Sequence, residues 1–467
     1  MRKQERRAWI CLMLAMVLVA GIGVFGYRLV KNGGKWASFY GNTQIYTDGY
    51  INRGTVKDRN GEELLTATPE GVFYSPDRVT RLATVHAVGD PAGNIPAGAI
   101  NMFRSQLIGY DLMNGTYDTT ANGKSISLTI DANANREAYY ALDGRTGAVG
   151  VYNWKTGEIV CMVSNPSFDP QDYLYYDEQS DEDEEDEDEE EESIYFNNFL
   201  DATMAPGSTF KLVTSAAVID TMPDRDQFEF ECDGVNQLID DREDSQLVCV
   251  REHGTVDFRE ALAESCNGAF GALTREVGAD TMKKYVKKAG LTEPVDVNGV
   301  QTAAGSFDFP DDNDVRLSWA GTGQAGDLVN PCAMMVYMGA IANGGEPVQP
   351  SLFKSATFIK EKMGGKSLGR YIDKDTAAEL KSMMKNNVVE SYGEDNFYGY
   401  DMYAKSGTAE NGTDTPDAWF VGFTGDDNAP YAFVVWVKDG GYGSEVAAPI
   451  AARVINAIGP VYSEEEY

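Results

Sequence analysis

Hydrophobic positions divide the chain into one long uninterrupted run near its start and many short patterned ones after it. Arg2, Lys3, Arg6 and Arg7 lead into an uncharged apolar run over 8–27, which Arg28 and Lys31 close. The run matches the ~20 residues a helix needs to cross a bilayer, and the leading cations are expected to stay cytoplasmic. This predicts a cytoplasmic tail over 1–7, a transmembrane anchor over 8–30 and an extracytoplasmic body. A cleaved signal peptide is the rival, disfavoured by the length of the run and by the lack of a small-residue cleavage signature before Tyr27.

Past the anchor, residues 31–124 carry short β-like runs broken by turn signals at Asp58-Arg59-Asn60-Gly61 and Asp90-Pro91-Ala92-Gly93, reading as a small α+β module. From 125 the pattern changes. A strand is predicted over 126–130 and a helix over 131–142. Alternating runs over 147–152 and 158–163 flank Asn153-Trp154-Lys155-Thr156-Gly157, a hairpin signature. Helical spacing returns over 209–219, 258–263, 269–277, 333–342 and 375–386, strands over 418–423 and 431–437, and a closing helix over 447–458. Strands at both ends with helices between them predict an α+β layer structure. The length also exceeds one comfortable core, so two units are expected, 31–124 and 125–463.

Charge narrows the partners. With 73 acidic against 39 basic side chains and a formal charge of −34, the chain would repel nucleic acid. Part of the excess is an unbroken acidic run over 181–192, inside a loop predicted over 177–192. It reads as solvated and self-repelling, with a weak calcium or magnesium site as the alternative. Cys11 falls in the anchor, and Cys161, Cys266 and Cys332 read as buried thiols. Cys232 and Cys249 bracket a polar loop where an exported protein could keep a disulfide. Zinc is disfavoured and no metal expected, since there is no C-x-x-C and only His86 and His253. Two histidines also leave little room for a Ser-His-Asp mechanism, and no cofactor is indicated.

A serine acyl-transfer site without histidine needs another base, and a lysine one helical turn away supplies it when its pKa is depressed. Ser208-Thr209-Phe210-Lys211 has that spacing, follows Pro206-Gly207 and opens an apolar run. Ser208 is therefore expected at a helix N-terminus. Ser351-Leu352-Phe353-Lys354 and Ser382-Met383-Met384-Lys385 share the spacing, and an isolated S-x-x-K is ordinarily a helix cap beside a solvated lysine. Order decides among them: only Ser208 is followed by both Ser265-Cys266-Asn267 and Lys405-Ser406-Gly407-Thr408, giving S-x-x-K, S-x-N and K-[ST]-G in sequence. Lys155-Thr156-Gly157 precedes every candidate serine and is read as a turn.

From about residue 53 to 437 the chain resembles class B, monofunctional penicillin-binding proteins. The likeness includes Arg53-Gly54-Thr55-Val56, Gly147-Ala148-Val149, Asn165-Pro166-Ser167-Phe168-Asp169-Pro170, Gly323-Gln324, Asn330-Pro331, Ala342-Asn343-Gly344-Gly345 and Ala418-Trp419-Phe420-Val421-Gly422-Phe423. The resemblance implies an antiparallel sheet flanked by helices, with 31–124 as a pedestal-like module. It implies D-Ala-D-Ala stem peptides as substrate and β-lactams as covalent ligands, with Ser208 as nucleophile and Lys211 as its base. Ser265 would relay a proton and Asn267 orient Lys211 and the substrate. Lys405 would supply positive field, Ser406 and Thr408 bind the substrate carboxylate, and Gly407 admit the ligand to the strand. Backbone N–H groups of Ser208 and Thr408 would form the oxyanion hole. A glycosyltransferase, or another member of the division or elongation machinery, is the implied partner. A DD-carboxypeptidase, a β-lactamase, or a non-catalytic wall scaffold or sensor are the alternatives.

Overall fold

The computed structural model describes residues 2–39, 41–47, 49–113, 115, 123–173, 194–237, 246–310, 315–354 and 365–460. The acidic run over 181–192 lies outside the described residues. The leading apolar run lies inside helix α1 (Arg2–Ala37). Among the described residues this is the one helix long and apolar enough to cross a membrane, and none of its apolar window is buried against the protein.

A small sheet follows, in the order β3-β2-β1-β4, built from β1 (Gly54–Lys57), β2 (Glu63–Thr68), β3 (Gly71–Tyr74) and β4 (Ser125–Ser127). The predicted turn joins β1 to β2: Asp58 Oδ1 accepts from the backbone N–H of Asn60 and of Glu62, both at 2.8 Å. One expectation changes here. The strand at 125–127, read from the sequence as the start of the larger unit, pairs in parallel with β1 and completes the first sheet. A local pattern predicts a strand but not its distant partner. Helix α2 (Arg78–Val88) was not anticipated; Asp77 caps it by accepting from Thr80 N. Its Arg81 grips Asp169 through two 2.7 Å bonds, a bidentate pair tying the first sheet region to the second.

Helix α3 (Ala132–Leu142) starts at the Asp131 cap, whose side chain accepts from Asn133 N and Ala134 N. The β5 (Gly147–Asn153) and β6 (Ile159–Asn165) hairpin is as predicted. The chain then forms α4 (Lys211–Thr221), four short strands β7 (Glu229–Cys232), β8 (Val235–Gln237), β9 (Gln246–Val248) and β10 (Gly254–Asp257), and helices α5 (Phe258–Ala263), α6 (Asn267–Val277), α7 (Ala279–Lys288), α8 (Val315–Ala320), α9 (Pro331–Ala342) and α10 (Lys374–Asn387). It ends with β11 (Met402–Ala409), β12 (Asp417–Thr424), β13 (Tyr431–Val437) and α11 (Ala447–Ile458).

The main sheet is antiparallel, in the order β11-β12-β13-β5-β6. Its central strands read as continuous apolar runs because helices cover both faces. Trp419, Val421 and Phe423 of β12 enter one core with α4, α6 and α9, whereas Ala418 and Phe420 enter a second with α3 and α11. Successive side chains alternate faces in a strand, so a strand buried on both sides keeps the period without showing it in polarity. First and last strands thus meet inside one sheet, leaving β11 at its edge.

Candidate active site

Three segments converge at that open edge. The first is a tight turn of 3-10 helix, Gly207–Phe210, leading directly into α4. Ser208 therefore lies in the turn before the α-helix, and Lys211 is the first residue of the α-helix itself. Gly207 stands at φ 51°, and a Cβ there would meet Thr408 O at 2.6 Å. On the opposite strand a Cβ at Gly407 would meet Thr209 Cγ2 at 2.9 Å and Pro206 O at 3.0 Å. Only paired glycines let the strand and the nucleophile turn come this close.

The second segment is the turn between α5 and α6. Ser265 adopts φ 58°, unusual for a residue with a side chain, and so directs both its carbonyl and its hydroxyl at Lys211. Lys211 Nζ lies 2.7 Å from Ser265 O, 2.7 Å from Asn267 Oδ1, 3.0 Å from Ser208 Oγ and 3.2 Å from Ser265 Oγ. The two shortest partners can only accept. A neutral amine donates its two hydrogens to them and keeps its lone pair for the Ser208 hydroxyl proton. Lys211 is fully buried; burial pushes its pKa down to about 8, against the opposing influence of Cys249 and Cys266.

The third segment is β11. Lys405 Nζ donates to Ser265 Oγ and to Ser406 O, each at 3.0 Å. Its pKa lies well below the usual lysine value, first through burial and then through the charge of Lys211. Ser265 Oγ thus bridges two buried lysines. Tyr392 contributes a contact that the sequence did not suggest. Ser406 N donates to its hydroxyl at 2.8 Å, and that hydroxyl donates to Ser406 Oγ at 3.0 Å. The Ser406 N–H therefore faces the open edge, and two residues on in an extended strand the Thr408 N–H faces the same way.

A cleft of about 420 Å³ opens over these groups, lined among others by Ser208, Ser265, Asn267, Ser406 and Thr408, with Trp319 and Tyr442 on its walls. The other predicted motifs lie elsewhere. Lys155 pairs with Asp427 at 2.6 Å, Ser351 Oγ bonds Asn298, Lys354 Nζ reaches Arg59 O, and Ser382 accepts from Arg259 at 3.1 Å.

Residues 147–456 match the penicillin binding protein transpeptidase domain. The chain belongs to that family. A peptidoglycan D,D-transpeptidase PbpA of Mycobacterium tuberculosis is 28% identical over 369 residues, covering 75% of this chain and 73% of its own. Stage V sporulation protein D of Bacillus subtilis is 28% identical over 378 residues, covering 73% of this chain and 54% of its own. Among solved structures, penicillin-binding protein A of M. tuberculosis as its penicillin G acyl-enzyme complex superposes with a TM-score of 0.69 at 24% identity, covering 87% of this chain and 99% of that one. The D,D-transpeptidase domain of a peptidoglycan glycosyltransferase from Eggerthella lenta gives 0.70 at 24%, covering 87% and 97%. These superpositions support the transpeptidase fold with its antiparallel sheet between helices.

Within this penicillin-binding fold the cysteines depart from expectation. Cys232 and Cys249 are free, their sulfurs 3.7 Å apart, well beyond the ~2.05 Å of a disulfide. Cys266, buried as expected, stands 3.9 Å from Cys249, and His253 Nδ1 stands 3.3 Å from Cys232 Sγ. The expectation of no metal rested on short-range spacing. The structure assembles four potential ligands from separate segments instead.

Proposed function

We propose that this penicillin-binding protein is a peptidoglycan DD-transpeptidase in which Ser208 forms the acyl-enzyme. The carrying observation is the Ser208–Lys211 contact at 3.0 Å with Lys211 held to two acceptors. Lys211 takes the hydroxyl proton as Ser208 Oγ attacks the penultimate D-Ala carbonyl. A tetrahedral oxyanion forms opposite the Ser208 and Thr408 N–H groups, donors of a kind worth roughly 2.7 to 4 kcal/mol each. As the C–N bond breaks, Ser265 passes its hydroxyl proton to the leaving D-Ala amine and takes in exchange the proton held by Lys211, 3.2 Å away, with Lys405 setting the local field. An amine of a neighbouring stem peptide then takes the acyl group and Ser208 recovers its proton. Asn267 holds Lys211 and the substrate amide, Ser406 and Thr408 receive the terminal carboxylate, and Gly407 keeps the strand open to the ligand. A β-lactam enters the same route as far as the acyl-enzyme.

The same reading assigns 1–7 to the cytoplasm, 8–30 to the membrane, 31–124 (with the strand at 125–127) to a pedestal and the remainder to the outer face. That places the cleft beside the wall and beside a glycosyltransferase in the same membrane. The test uses the full chain in detergent with a D-Ala-D-Ala stem-peptide donor and a D-amino acid acceptor, followed by mass spectrometry. Exchange of the terminal residue, lost in Ser208→Ala, is expected. Hydrolysis without exchange would make the protein a carboxypeptidase, and unchanged exchange in Ser208→Ala would remove Ser208 from the mechanism.

A further inference from the structure

Beside the catalytic turn lies a group of side chains that acyl transfer does not use. Cys232 ends β7 and His253 directly precedes β10, its antiparallel partner, in which Gly254 faces Cys232. Cys249 follows β9 and is anchored by its N–H to Gly234 O at 2.9 Å. Cys266 is the middle residue of the Ser265-Cys266-Asn267 motif and caps α6. Their three sulfurs and one imidazole nitrogen all lie within 4.8 Å of one another.

We propose that Cys232, Cys249, His253 and Cys266 form a closed tetrahedral site for a structural Zn2+ ion. Metal–sulfur bonds of about 2.3 Å and a metal–nitrogen bond of about 2.0 Å, at tetrahedral angles, set sulfurs about 3.8 Å apart and sulfur from nitrogen by about 3.5 Å. The observed separations are 3.7 Å for Cys232–Cys249, 3.9 Å for Cys249–Cys266 and 3.3 Å for Cys232–His253. Such spacing is too wide for a bonded pair, and the remaining donor pairs lie within 4.8 Å of one another.

Surrounding donors suit thiolates. Asn236 Nδ2 donates to Cys249 Sγ at 3.5 Å and Ala269 N to Cys266 Sγ at 3.4 Å. Hydrogen bonds of this kind orient and stabilise metal-bound sulfur. Binding would release the three thiol protons to solvent and leave the imidazole neutral. Four protein ligands leave no open position, so the ion is structural and adds no step to the chemistry.

Its position gives it a second consequence. The ion would join the β7–β10 ribbon, the end of β9 and the α5–α6 turn at one point. Asn267 Nδ2 already donates to Val248 O at 2.8 Å, so the metal would fix both flanks of the residue that holds Lys211. It would also keep three thiols of an exported protein out of disulfide exchange.

The proposal is tested on the full chain in detergent, purified without added metal from zinc-replete cells. Elemental analysis should find one zinc per chain. Exchange for Co2+ should give thiolate-to-metal charge transfer with tetrahedral visible bands. Both signals should be lost in Cys249→Ser and His253→Ala and kept in Cys161→Ser, and chelation should lower the Tm of the wild type but not of His253→Ala. If the substituted variants do not fold, the wild-type protein decides alone. Zinc-free wild-type protein with Cys232, Cys249 and Cys266 all recovered as free thiols overturns the proposal, as does a Cys232–Cys249 disulfide in non-reducing peptide mapping. Absence of acylation in zinc-bound wild-type protein would count against Ser208 and leave the metal site standing.

Discussion

The segments at 208–211 and 382–385 carry the same serine–lysine spacing, and the fold treats them oppositely. Lys211 is fully buried, has no carboxylate partner among its hydrogen bonds, and is drawn down to about 8 chiefly by burial. Burial acts on Lys385 too, but the carboxylates of Glu394 and Asp401, at 2.6 and 2.9 Å, outweigh it and hold the ammonium above its usual value. Ser208 faces a cleft with a bare strand edge opposite, whereas Ser382 is exposed and bonded to Arg259. A lysine becomes a base when its positive charge is made costly. What distinguishes the two segments is thus the company the tertiary fold supplies to them.

Removing the base should break the comparison most sharply. Lys211→Ala is expected to slow acylation by a fluorescent penicillin about 10³-fold, the usual scale for losing a positioned acid–base group. Lys385→Ala should leave the rate within about twofold, since surface ion pairs contribute little. Stopped-flow acylation rates measure both.

Titration gives the next effect. Neutral Lys211 is the competent form, and its pKa lies near 8. The acylation rate constant should therefore rise roughly tenfold per pH unit below that value and level off above it, because protonation removes the acceptor lone pair. A flat profile between pH 6 and pH 9 would contradict this role.

Tyr392 tests how far the edge strand depends on its neighbour. Tyr392→Phe removes the hydroxyl that accepts from Ser406 N and donates to Ser406 Oγ. A lost hydrogen bond of about 1 kcal/mol predicts a fall of roughly fivefold in acylation efficiency, with the Tm nearly unchanged. The smallest effect belongs to the surface pair: Lys385→Ala should shift unfolding free energy by about 0.5 kcal/mol or less in chemical denaturation.

These contrasts also mark what the chain disclosed before folding. Local periodicity predicted β13 and α5 residue for residue, and caps such as Asp131 set the start of α3. The order of three short motifs selected Ser208 over two equal spacings. Hidden features were those created by distant contacts. The β1–β4 pairing joins segments about 70 residues apart. Tyr392 carries no motif and reaches Ser406 only because α10 and β11 pack together. The left-handed Ser265 turn has no glycine to announce it. The Cys3His cluster is hidden because its ligands come from the end of β7, the β9–β10 connection and the α5–α6 turn, so no compact spacing betrays them.

The central claim is that the buried Lys211 makes Ser208, and no other serine, the nucleophile. Intact-mass spectrometry of the full chain with penicillin G, followed by peptide mapping and compared across Ser208→Ala and Ser382→Ala, addresses it directly. One stable adduct on the Ser208 peptide, absent in Ser208→Ala and present in Ser382→Ala, is the predicted result. An adduct that persists in Ser208→Ala, or none in folded wild-type protein, would contradict the account.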